Sequence, residues 1–328
     1  MKSIFVLSLV VTSGVAAASF DMMYLPDETG DFVRRFDPVN RVSLGSFNAL
    51  GTTKVIGNRT TSHVVTAGFS TNGYIFNGFT GEFKGLVQSP MVAMYLRNDG
   101  SEVISYNNVG LRRHDSTTGA LLGTGTLGGT AIDIDAFAEI GGGRIAALGR
   151  SATGVVLQQY TSSLTYINET LLFAASTVAA SAALSSMAYI DSAGSQNLFF
   201  THRTSSNSVS LDRINLTSGG TVVGSIFPTL LSGWSTVSAS HQANVMAGHA
   251  GSFFVIGNST TASNVRIGQY YNTGGTYNAI QYYNTTALTL PTGEWQGANV
   301  VAPEPGTIIA LGGGALALLR RRSRSRRG

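Results

Sequence analysis

The sequence predicts an all-β fold, a β-propeller of about six blades, preceded by a signal peptide and followed by a C-terminal sorting helix. Three observations predict the ring. A strand–turn–strand pattern recurs six times, an Asp/Asn-to-Gly turn follows several of the copies, and the copies are spaced like propeller blades. Blades of this kind use roughly 40–50 residues and about four short strands each.

The six copies occupy 22–37, 64–77, 103–115, 145–161, 198–215 and 253–272. Each opens with a short apolar run, crosses a Gly/Ser/Thr/Asn stretch and resumes with β-forming residues that end near Asp or Asn. Turn residues between two β-rich runs mark a chain reversal, so each copy reads as a hairpin.

A second turn follows. Asp115 has Gly119 four residues on and Gly123 eight residues on, and Asn77 has Gly81 and Gly85 at the same offsets. An Asp or Asn side chain can cap the amides of such a turn, and glycine supplies the positive φ that closes it. Asn215 has Gly219, with Gly224 one step late; Asp37 keeps only Gly45; the copies ending at Thr161 and Asn272 are degenerate. Another strand should follow each turn.

Terminal positions 37, 77, 115, 161, 215 and 272 are 40, 38, 46, 54 and 57 residues apart, which predicts longer connections in the second half. A seventh blade has room in 165–195 or 220–250. The alanine-rich stretch 172–190 is interrupted by Ser and Thr and reads as an insertion or irregular strands.

The ends address the chain to export. Lys2, an apolar run from Ile4 and the small residues Ala16–Ala18 read as a signal peptide over 1–18. The body then runs over 19–300. The final segment, 301–328, holds an uncharged thirteen-residue run, Thr307–Leu319, followed by six arginines. Arginines beside such a run stay on the cytoplasmic side, because moving them through hydrocarbon is costly. The body is therefore expected to be exported and the tail held, briefly or lastingly, at the membrane.

Pro303-Glu304-Pro305, a Gly-rich apolar span and an arginine-rich end together resemble the PEP-CTERM sorting signal of Gram-negative and planctomycete bacteria. That resemblance implies processing near Pro303, Glu304 and Pro305 by an exosortase-type membrane protease, and release to the cell surface or exopolysaccharide matrix. It implies nothing about what the body does. The repeated D-x-x-T-G turn is loosely similar to that of secreted bacterial β-propellers.

Without Lys2 and the tail arginines the formal charge falls from +4 to −3, so the body carries no electrostatic footprint for nucleic acid. There is no cysteine, and stability rests on the core.

Chemical motifs are few. Gly123, Gly125 and Gly128 form G-x-G-x-x-G, but a strand-like alternation follows where a dinucleotide site needs a helix. Asp133 and Asp135 share a strand face and read as a solvated surface, with Ca²⁺ ligation the weaker alternative. His63, His114, His202, His241 and His249 have no metal-site spacing and read as polar loop residues. Five Asn-x-Ser/Thr sequons follow from composition. No catalytic, cofactor-binding or metal-binding residue is assigned, and no cofactor is expected.

One aromatic cluster stands out. Gln-Tyr-Tyr-Asn occurs at 269–272 and again at 281–284, so Tyr270, Tyr271, Tyr282 and Tyr283 form a candidate carbohydrate platform. One tyrosine of each doublet is expected to face the core and the other solvent. The alternative is cross-strand packing in the last blade. The overall expectation is an exported surface or matrix protein that binds, with exopolysaccharide as a candidate partner. The alternative is an extracellular propeller lyase or glycosidase acting on polysaccharide, which needs convergent acids or histidines.

Overall fold

The computed structural model describes residues 22–301 except 28–30, 39, 53, 58–62, 69–71, 178–185, 193–194, 205–208, 231–233, 236–243, 249–250, 260–264, 274–275 and 285–298. The signal peptide and the Pro303-Glu304-Pro305 segment lie outside the described residues. All described residues fall in one compact unit, Phe20–Pro303.

The chain forms six antiparallel sheets in sequence order. Blade 1 contains β1 (Met22–Asp27), β2 (Phe32–Asp37) and β3 (Val42–Asn48). Blade 2 contains β4 (Lys54–Gly57), β5 (His63–Ala67), β6 (Gly73–Asn77) and β7 (Phe83–Val87). Blade 3 follows with β8 (Ala93–Leu96), β9 (Glu102–Tyr106), β10 (Leu111–Asp115) and β11 (Leu121–Gly125). Blade 4 has β12 (Asp133–Ile140), β13 (Arg144–Ser151), β14 (Gly154–Tyr160) and β15 (Tyr166–Ala174). Blade 5 has β16 (Ala188–Ser192), β17 (Ser195–Arg203), β18 (Val209–Leu216) and β19 (Val222–Leu230). Blade 6 has β20 (Trp234–Ser235) and β21 (Asn244–Ala247), both beside β22 (Phe253–Ser259), then β23 (Val265–Thr273) and β24 (Thr276–Asn284).

The last strand, β25 (Asn299–Val301), returns to blade 1 and pairs with β1. Each blade thus gains an inner strand, and these touch in a closed cycle: β25 with β4, then β8, β12, β16, β21 and β25 again. The molecule is a six-bladed β-propeller closed by its own first and last strands. The stretches 165–195 and 220–250 supply strands to blades 4, 5 and 6, so the room considered for a seventh blade is taken.

All six predicted hairpins are present, and they form the two middle strands of each blade. These strands are apolar on both faces because each blade is sandwiched between two neighbours. In β1, Met23 and Leu25 pack toward blade 6 with Met246, Phe254 and Ile256, whereas Met22 and Tyr24 pack toward blade 2 with Val55 and Val64. Six separate apolar clusters fill the six interfaces, and each spans neighbouring blades. Stability is therefore shared around the ring, not held in one central core.

The turn into each outer strand is built as its residues dictate. Asp115 Oδ1 accepts from the Thr117 and Thr118 amides at 2.9 and 2.7 Å and from the Thr118 hydroxyl at 2.9 Å. Asn77 Oδ1 does the same for Phe79 and Thr80 at 2.9 and 3.0 Å. Gly119 and Gly81 take positive φ, 77° and 75°. In blade 1, Asp37 accepts from Asn40 and the positive-φ position falls to Arg41, φ 59°. In blade 4, Leu164 takes it, φ 66°. The blade 5 expectation is corrected by a small shift: Asn215 and Leu216 stay in β18, and the turn runs from Thr217 to Gly220, φ 79°.

Two ends of the ring follow from register. Val301 pairs with Met22, Met23 with Phe36 and Asp37 with Val42, so the first and last strands meet the turns into the outer strands at one end. We call this the closure end. The opposite end carries the loops of those six hairpins and every blade-to-blade connection, while the loops from inner to second strands, 97–101 and 141–143 among them, lie at the closure end. Those connections are short at 49–53 and 88–92 but longer at 175–187 and 285–298, and the chain entering blade 6 passes through β20 before it reaches β21. The increasing repeat length comes both from these connections and from longer strands, which grow from 4–5 residues in blades 2 and 3 to as many as 9 in blades 4 and 5.

Candidate functional site

The connection end is the candidate site, because inner strands of several blades open there beside the long connections. Lys54 begins β4, and its Nζ donates to the Val92 carbonyl between blades 2 and 3. Burial lowers the Lys54 pKa, and the charge of Asp135 opposes that shift. Asp135 sits on inner strand β12 at a bulge: Ile134 opposes Gly149 and Ala136 opposes Leu148, leaving Asp135 as the extra residue. A bulge re-aims a side chain. Asp135 reaches Arg150 on β13, with Nε to Oδ2 at 3.2 Å.

Asp133 is exposed at the start of the same strand. Tyr106, at the connection end of β9, has its hydroxyl 3.4 Å from the Ile132 carbonyl. Its pKa is raised by burial and then by the charges of Asp133 and Asp135. Lys54 of blade 2 and Asp133, Asp135 and Arg150 of blade 4 thus bring two cations and two carboxylates to this end. Asp135 is in an ion pair rather than on a solvated face; among the described residues, no group of three His, Asp or Glu side chains is placed to hold a metal ion.

The glycine-rich stretch is structural. Gly123 and Gly125 belong to β11, and Gly128 lies in the connection to strand β12, not to a helix. Gln158 Nε2 donates to the carbonyls of Gly128 and Thr130 at 2.8 and 2.7 Å. Glu169 accepts from the Thr130 amide and hydroxyl at 2.8 and 2.7 Å, which holds its carboxyl below the usual range. Both polar side chains reach from blade 4 to fix the loop that enters it.

The tyrosines separate. Tyr270 is buried, and its ring stacks on Phe253 at 4.9 Å, which stacks on Phe199 of blade 5 at 4.2 Å. This corrects its inclusion in an exposed platform: it is part of the blade 5–blade 6 core. Tyr271 is part-buried, and Gln269 Nε2 donates to its hydroxyl at 2.5 Å. The two doublets are not opposite each other. Tyr270 and Tyr271 pair with Ala279 and Asn278, while Tyr282 and Tyr283 pair with Gly268 and Ile267. The side chains of Tyr282 and Tyr283 lie outside the described residues.

Three histidines are on strands, not loops, which corrects the expectation for them: His63 on β5, His114 on β10 and His202 on β17. His241 and His249 lie outside the described residues. His114 is buried, and burial lowers its pKa against the opposing effect of the Gly119 backbone. His202 is buried with its Nδ1 against Asp212 Oδ2, while Ser210 Oγ donates to Asp212 Oδ1 at 3.0 Å. The Phe173 ring lies 4.7 Å from the His202 ring. The sequence reading missed this Ser210–Asp212–His202 arrangement. Its signal was the S-x-D alternation on one hairpin arm with a histidine on the other, but the register that joins them is not written in the sequence.

The fold defines the class: the chain is a β-propeller. Its likeness to solved structures agrees. A Bacteroides caccae protein of unknown function superposes with TM-score 0.58 and 10% identity, covering 86% of this chain and 99% of that one. The β-propeller domain of Cps50 (Swd1) from Myceliophteria thermophila superposes with TM-score 0.50 and 10% identity, covering 87% of this chain and 90% of that one. Identity at this level shows the fold alone. No family profile matches the chain, and no curated protein matches it.

Proposed function

We propose that the chain is an exported cell-surface or exopolysaccharide-matrix protein that works by binding, held briefly at the inner membrane by its tail and released by an exosortase-type protease near Pro303-Glu304-Pro305. The observation that carries the binding reading is the asymmetry of the ring. The long connections 175–187 and 285–298 both leave and re-enter the ring at the end opposite Met22 and Val301. A closed ring holds such loops on a rigid scaffold, the usual arrangement for recognition.

Co-sedimentation of the purified protein with exopolysaccharide from the producing cells tests this. Replacing 178–185, in the connection between blades 4 and 5, with a Gly/Ser linker of the same length should weaken retention while the thermal transition survives. Retention that is absent from the start, or unchanged by the replacement, contradicts the reading. The alternative enzyme needs an accessible acid or base, whereas the His202–Asp212 pair is buried on both sides.

A further inference from the structure

The closure end carries a feature that binding at the opposite end does not use. Just after the turn into the outer strand, four of the five blades whose side chains are described there expose an apolar side chain. These are Val42 (50% exposed) in blade 1, Phe83 (55%) in blade 2, Leu121 and Leu122 (55% and 50%) in blade 3, and Val223 (46%) in blade 5. In blade 4 the place is taken by Tyr166, whose ring packs edge-on against Tyr160 at 5.9 Å. Arg41 lies beside Val42, and Lys84, beside Phe83, is paired with Glu82 at 2.6 Å.

The chain itself says what this rim meets. Val301 is paired at the closure end, and only Ala302–Gly306 separate it from the apolar run Thr307–Leu319. Five residues, two of them proline, span at most about 18 Å. If the run is held in a bilayer, the closure end lies within that distance of the lipid surface.

We propose that the closure-end rim docks on the phospholipid surface while the tail is in place, with Val42, Phe83, Leu121, Leu122 and Val223 against the lipid and the long connections directed away. This rests on the tail anchoring of the proposed function. A few half-exposed side chains would hold a free protein only weakly. A tether this short makes docking intramolecular, at an effective concentration in the millimolar range, so weak contacts suffice.

The absence of native cysteine makes the test direct. Val42→Cys, Leu121→Cys and, at the opposite end, Val109→Cys (84% exposed in the parent) are made singly in the chain carrying its tail. Each is reconstituted with vesicles of phosphatidylethanolamine and phosphatidylglycerol, and the labelling rate with a membrane-impermeant maleimide is measured with and without lipid. Docking predicts that lipid slows labelling at positions 42 and 121 by about tenfold, as a nine-tenths docked population requires, and leaves position 109 unchanged. Circular dichroism melts confirm that each variant keeps the parent fold. A protein that floats with the vesicles but labels equally at all three positions overturns docking and leaves anchoring intact. A protein that does not float overturns both. Protection at 42 and 121 without lipid overturns docking in favour of a second copy covering the rim.

Discussion

Met23 and Val300 are partners on one antiparallel ladder, so strands from opposite ends of the chain share blade 1. The pairing supplies the inner strand of that blade and brings β25 against β4 and β21 on either side. Closure of this kind removes the two free edges an open array would leave, and it couples all six blades.

Ending the chain after Gly297 should therefore act on the whole ring. Without β25, β1 loses its ladder partner at the inner edge of blade 1, and the ring loses the strand that lies between β4 and β21. The thermal transition should drop sharply and remain cooperative, and a hydrophobic dye should bind below the transition. A chain ending after Pro303 should melt like the parent. Loss confined to one local signal would mean that the blades unfold independently, as in an open solenoid.

Gly119 tests the packing of one blade on the next. A Cβ there would overlap the Leu86 carbonyl of blade 2, and φ is 77°. Gly119→Ala should cost about 1–3 kcal/mol from the backbone conformation alone, with the steric overlap added. Gly123→Ala is the control, since a Cβ at Gly123 meets nothing within 4 Å. Urea midpoints should separate the two variants clearly; equal midpoints would contradict the interlock.

The hairpins and turns were legible because they belong to the sandwiched middle strands. Burial on both faces writes short apolar runs such as Val64-Val65 and Val103-Ile104, and the turn chemistry at Asp115–Gly119 is local. The inner strands were not legible. Lys54–Gly57 and Ala93–Leu96 are too short to display a period, and Asn299–Val301 owes its place to pairing with a residue far away in sequence. The outer strands expose one side, as in Phe83–Val87, and lose the alternation. The Lys54–Asp135 mouth was hidden for a further reason: the bulge at Asp135 breaks the alternation that the sequence implies for Asp133 and Asp135.

Buried His114 predicts a pH dependence. Its pKa in the fold lies below the ordinary 6.5, first through burial and also through the Arg112 charge, while the Gly119 backbone opposes the shift. The unfolded chain then binds this proton more tightly, so stability is lost as pH falls below about 6.5. His63 shifts in the same direction, again mainly through burial. Asp99, Asp115 and Glu169 have lowered pKa values, and the stability they contribute is lost only at more acid pH, below about 4. Between pH 5 and 7 the histidines therefore dominate. His114→Leu should raise the melting temperature more at pH 5 than at pH 7.5. A difference independent of pH would rule out His114 as the titrating group.

The measurement that tests the account most directly is the intact mass of the protein recovered from the surface or medium of producing cells. Export, anchoring and ring closure together set both ends of the mature chain. The start should fall close to Ser19, and the end should fall between Ala302 and Gly306, retaining Asn299–Val301 to close the ring while losing the apolar run and the arginines. A mature species still ending in Gly328 would contradict processing, and a stable, folded species ending before Asn299 would contradict closure by β25.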